Sequence, residues 1–61
     1  MNEYVVLVVD DEQEIRNGIA IYLKNEGIKV FTAKDGIEAI EILNKEKVHL
    51  IILDIMMPRQ D

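Results

Sequence analysis

An apolar run that ends on acid constrains this chain more than any other feature. Tyr4-Val5-Val6-Leu7-Val8-Val9 is followed directly by Asp10-Asp11-Glu12. A continuous β-branched run without polar alternation reads as a strand covered on both faces, the pattern of a buried parallel sheet. Val48-His49-Leu50-Ile51-Ile52-Leu53 has the same character and ends at Asp54. The chain therefore carries two strands of one kind, each stopped by carboxylate.

The segments between these runs have other periods. Ile15, Ile19, Tyr22 and Leu23 recur at spacings of three and four, while Glu14, Arg16, Asn17 and Lys24 fall mostly elsewhere. This predicts a helix over about 12–26 with that apolar stripe inward. Asp11 or Glu12 stands where a helix start favours negative charge, and Gly27 stands where a C-cap would. Ile28-Lys29-Val30-Phe31-Thr32-Ala33 alternates and suits a more exposed, edge-like strand. Asp35-Gly36 opens a second helical pattern, with Ile37, Ala39, Ile40 and Leu43 expected inward. Pro58 blocks a simple continuation of the third strand. His49, with no second histidine beside it, is expected to be structural.

The resulting order, β-α-β-α-β with short connections, predicts a parallel α/β sheet. Two right-handed crossovers in sequential strand order would put both helices on one face and leave the other bare. Order 2-1-3 places one helix on each face and the most polar strand at an edge. Strands 1 and 3 become neighbours, and the switch point between them is where open α/β sheets bind ligands, outside the strands' carboxyl ends. Asp10, Asp11 and Asp54 are thus expected in one crevice.

Composition narrows the function. With 7 basic and 12 acidic residues the net charge is −5, which argues against direct nucleic-acid contact by these residues. Without cysteine there is neither a disulfide nor a thiolate metal site. No apolar run approaches a membrane span, and Met1-Asn2-Glu3 lacks a basic signal-peptide start. A cytoplasmic protein is expected. At 61 residues the chain is no more than one domain.

Clustered carboxylates repel one another, and a hard divalent cation removes the problem. Mg²⁺ takes oxygen ligands, keeps several waters and is typically held by one or two carboxylates. Asp54 stands alone after a fully apolar strand. With its charge offset by a metal, such a carboxylate can attack phosphorus and form an acyl phosphate. An aspartyl phosphatase would usually carry a second Asp two positions on, where this chain has Met56. A nucleotide-binding module would need a Gly-rich turn where this chain has Asp10-Asp11-Glu12-Gln13.

Three segments together resemble the receiver domain of two-component response regulators. They are Leu7-Val8-Val9-Asp10-Asp11-Glu12, Ala33-Lys34-Asp35-Gly36-Ile37-Glu38-Ala39, and Leu50-Ile51-Ile52-Leu53-Asp54-Ile55-Met56-Met57-Pro58. The style of Tyr22-Leu23-Lys24-Asn25-Glu26-Gly27 is similar to receivers joined to winged-helix DNA-binding domains. The resemblance implies a flavodoxin-like fold of five strands in the order 2-1-3-4-5. It implies that Asp54 accepts a phosphoryl group from a phosphohistidine on a sensor histidine kinase. It implies Mg²⁺ ligated directly by Asp11, through water by Asp10, and by Asp54 and the backbone carbonyl of Met56. Pro58 would shape the loop leaving the site. An output domain, of the DNA-binding type, would be the controlled partner, and the receiver would be a signalling phosphoacceptor, not an enzyme.

Residues 1–61 are expected to form the N-terminal portion of a single receiver domain, cut after its third strand. The family's Ser or Thr after strand 4, its Lys after strand 5 and its switch aromatic have no counterpart here, and neither Lys34 nor Arg59 matches that Lys. The third strand would then be an exposed apolar edge. A fragment of a longer protein, a truncated chain, or a homodimer whose copies complete each other's sheets would each account for this. The alternative function is a half-domain that is not phosphorylated and only self-associates.

Overall fold

A computed structural model describes residues 3–53. The elements are β1 (Val5–Val9), α1 (Gln13–Asn25), β2 (Lys29–Ala33), α2 (Gly36–Lys45) and β3 (Leu50–Leu53). The strands form one parallel sheet in the order β2-β1-β3. This is the order expected from the two crossovers, and it matches the first three strands of the flavodoxin-like fold that the resemblance implies. The register brings Val9 level with Ala33 on one side and Leu53 on the other, so all three strands finish together.

β1 is the middle of the structure and is buried from end to end. Its side chains alternate between the faces of the sheet. Leu7 and Val9 point to the side where Ala33, Ala39 and the half-buried Phe31, Ile42 and Val48 complete a core. Val6 and Val8 serve the opposite face. α1 and α2 both pack on β1 and β2 and do not touch each other, as helices on opposite faces must.

Local chemistry sets the helix ends. Asp35 caps α2, its Oδ1 accepting from the Glu38 amide at 2.9 Å. Glu38 Oε1 in turn accepts from the Lys34 amide at 3.0 Å, a capping box shifted one residue outward. α1 ends in a Schellman motif: Gly27 donates to Lys24 O and Ile28 donates to Leu23 O. Gly27 has φ of 84°, a left-handed conformation that glycine adopts without a Cβ penalty. At the start of α1, Glu12 is the N-cap residue but makes no side-chain cap bond.

The helices pack differently from the periodic reading. In α1 the buried residue is Ala20, and Ile19 and Leu23 are half-buried; Ile15 is exposed and Tyr22 is 65% exposed. In α2 Ala39 is buried and Ile42 packs on the core, while Ile37 is 72% exposed and Ile40 and Leu43 are also exposed. The reason is the sheet available to them. Each helix covers β1 and β2, approaches through a small alanine, and leaves part of its apolar stripe without a described neighbour.

β3 also departs from the reading of a strand covered on both faces. It pairs with β1, but no described helix packs on it, and Leu50, Ile51 and Leu53 are exposed. β2, at the opposite edge, is more polar, and the Lys29 ammonium lies 5.4 Å from the centroid of the Phe31 ring. β3 starts at Leu50, not Val48, and His49 just before it has a specific task. Its amide donates to Val5 O at 2.8 Å, and its ring Nδ1 accepts from the Val5 amide at 3.0 Å. The Tyr4 and His49 rings stack with centroids 5.3 Å apart.

Candidate functional site

The carboxyl end of β1 carries the one buried charged residue among the described residues. Asp10 is 2% exposed and still belongs to the sheet, its amide donating to Ala33 O at 3.1 Å. Its side chain then turns back on the loop, with Oδ1 accepting from the Glu12 amide at 2.9 Å. Its carbonyl accepts from Arg16 Nη1 at 2.8 Å. Its Oδ2 is buried and has no hydrogen-bond partner among the described residues.

A buried carboxylate oxygen without a partner is costly, because the charge loses its hydration. Oδ2 is thus free, among the described residues, to take a donor or a cation, and Asp11 follows at once, exposed on the bend before α1. An oxygen donor set on a turn at the end of a strand, one carboxylate fixed and one reachable from solvent, fits a small hard cation such as Mg²⁺. Among the described residues no third carboxylate or imidazole joins the pair.

The other expected site residues, Asp54 and Met56, together with Pro58, lie outside the described residues. What is described is the strand that leads to them. β3 finishes at Leu53, level with Val9, so the chain leaves β3 beside the point where Asp10 leaves β1. Lys34 is engaged elsewhere, its amide bonded to Glu38 Oε1 and its Nζ 3.9 Å from Glu38 Oε2.

The periodic reading missed Arg16. It sits in the first turns of α1, half-buried, and returns its guanidinium to the carbonyl six residues back. A basic residue within reach of the first strand's end was visible in sequence, but its target was not.

The family model described as "Response regulator receiver domain" matches residues 6–61. This chain belongs to the response regulator receiver family. The receiver sequence is 51% identical over 55 residues to Response regulator RR06 of Streptococcus pneumoniae, covering 90% of this chain and 25% of the relative. It is 47% identical over 53 residues to Regulatory protein VanR of Enterococcus faecium, covering 87% of this chain and 23% of the relative. It is 44% identical over all 61 residues to the Probable transcriptional regulator ycf27 of Cyanophora paradoxa, 26% of that protein. The receiver chain thus spans about a quarter of the length of these curated relatives. No solved structure matches it. No described helix is long and apolar enough to cross a membrane.

Proposed function

We propose that this receiver sequence is the phosphoacceptor part of a cytoplasmic response regulator. Asp54 takes a phosphoryl group from the phosphohistidine of a sensor histidine kinase. A carboxylate oxygen of Asp54 forms the new bond to phosphorus, the bond from phosphorus to the imidazole nitrogen breaks, and the imidazole leaves with its electron pair. Position and charge neutralisation supply most of what such a transfer needs.

Asp10 and Asp11 would hold Mg²⁺, with Asp54 and the backbone carbonyl of Met56 as further ligands. When bound, the metal supplies positive charge to offset the carboxylates and the incoming phosphoryl oxygens. The residues' own contribution is orientation. Asp10 is locked by the sheet and by Glu12, and the apolar β1 behind it keeps water from one side of the site. Acting on itself, the domain is a signalling phosphoacceptor and does not turn over an external substrate. Its output is control of a partner domain, of the DNA-binding type that the resemblance implies; the Cyanophora relative is named a probable transcriptional regulator.

The observation that carries this reading is the buried Oδ2 of Asp10, without a partner among the described residues, beside exposed Asp11 at a strand end level with Leu53. Asp54 is the next residue in the chain. The test is phosphorylation of the full-length protein by a small acyl-phosphate donor with Mg²⁺, read by intact mass. One added phosphoryl group is expected, lost with chelator and lost in Asp54→Asn. Label persisting on the Asn variant would overturn the assignment.

A second reading is favoured by the exposed Leu50, Ile51 and Leu53 of β3. Self-association through that strand would cover them. Sedimentation of the 61-residue chain distinguishes it: a concentration-dependent dimer supports it, and a monomer at all concentrations refutes it.

A further inference from the structure

We propose that Arg16 is a positioning residue for the divalent cation, acting through the backbone of Asp10. The proposal rests on the reading of Asp10 and Asp11 as cation ligands. It goes beyond that reading by assigning the group that holds them in place.

The geometry has an unusual economy of charge. A guanidinium close to two carboxylates would ordinarily pair with them, and a paired carboxylate is a poor metal ligand. Arg16 does not do this. Among the described residues the one ion pair is Lys34–Glu38, and the Arg16 contact is to the carbonyl oxygen of Asp10. The carboxylate is left with Oδ1 on the Glu12 amide and Oδ2 without a partner among the described residues. Positive charge is therefore kept near the acidic turn without consuming a ligand atom.

The same contact closes a ring. The Arg16 amide donates to Glu12 O at 2.9 Å, and its side chain reaches back to Asp10 O at 2.8 Å. Asp10 is then held at three backbone or side-chain points: its amide by Ala33, its carbonyl by Arg16 and its Oδ1 by Glu12. Asp11 lies between two clamped residues. A turn of exposed acidic residues would otherwise sample many conformations, because Glu12 provides no side-chain cap for α1. Arg suits the task because it stays charged, and its planar fork loses less freedom per hydrogen bond than a lysine ammonium.

The experiment is a calorimetric Mg²⁺ titration of the full-length protein and its Arg16→Met, Arg16→Lys and Asp11→Ala variants. Methionine keeps the apolar stem and helix propensity but removes the donors. Alongside it, amide exchange at Glu12 is measured without metal. We expect Arg16→Met to lose about tenfold or more in Mg²⁺ affinity, as groups that orient metal ligands do. We expect Arg16→Lys, which keeps the charge but not the planar fork, to fall between Arg16→Met and the wild type. The Glu12 amide should exchange faster in Arg16→Met than in the wild type.

Undiminished Mg²⁺ affinity in Arg16→Met, with Asp11→Ala weakened, would overturn the Arg16 proposal and leave the cation reading standing. A lowered unfolding midpoint with unchanged affinity would overturn it equally, since the role would be structural only. If Asp11→Ala binds Mg²⁺ like the wild type, the cation reading falls and Arg16 with it. Should Arg16→Met fail to fold, Arg16→Gln takes its place, and wild-type affinity in that variant would overturn the proposal.

Discussion

Val5 and His49 are joined twice, by the His49 amide on Val5 O at 2.8 Å and by the Val5 amide on the His49 ring Nδ1 at 3.0 Å. A side chain here does what the sheet ladder cannot, since β3 starts only at Leu50. The donor it satisfies belongs to a buried residue. His49→Ala should therefore destabilise the protein by about 1 kcal/mol, the low end of the cost of leaving an amide unpaired, because the bond is only part-buried. Chemical denaturation measures this. An unchanged midpoint would mean that water replaces the ring.

Asp10→Asn should separate stability from metal binding. The substitution keeps the shape and an oxygen for the Glu12 amide but removes a buried charge whose Oδ2 has no partner among the described residues. Metal-free stability is expected to rise by about 1 kcal/mol, while Mg²⁺ affinity falls. Thermal unfolding in chelator and in Mg²⁺ checks both signs. A variant less stable in chelator would mean that the Asp10 charge is compensated.

Mg²⁺ should raise the unfolding midpoint of the wild type, because a ligand of the native state stabilises it by mass action. At a concentration a hundred times the dissociation constant the gain is about 2.7 kcal/mol. Asp11→Ala should lose most of that gain with little change in the metal-free midpoint, because Asp11 is exposed. An Mg²⁺ shift of wild-type size in Asp11→Ala would remove Asp11 from the ligand set.

Gly27→Ala tests the end of α1. An added Cβ meets nothing within 4 Å, so any cost comes from the positive φ of 84° and not from a clash. A loss of about 1 kcal/mol is expected, that of placing a Cβ in the left-handed region. Asp35→Ala should cost a similar amount, about 1 kcal/mol, by removing the cap on Glu38. Equal stability in Gly27→Ala would show that the turn relaxes to another conformation.

Much of the architecture was legible because it is encoded locally. The β-branched run of β1 could only be a covered strand, Asp35 and Gly27 mark helix ends by their own chemistry, and crossover handedness left order 2-1-3 as the arrangement that covers both faces. The acidic end of β1 followed from that order. The exposure of Ile15, Tyr22, Ile37 and Ile40 was not legible, because periodicity reports which side chains share a face and not how much sheet lies opposite.

The sequence by itself determined the order of elements, the parallel sheet, the caps and the placement of Asp10 and Asp11 at a strand end. These depend on neighbours within a few residues and on general rules of chain connection. Only the tertiary structure decided that Asp10 is buried with one oxygen unmet among the described residues, that Arg16 turns back to its carbonyl, and that His49 closes on Val5, 44 residues away in the chain. Those contacts depend on the path of individual side chains across packed elements, which no local pattern of residues encodes.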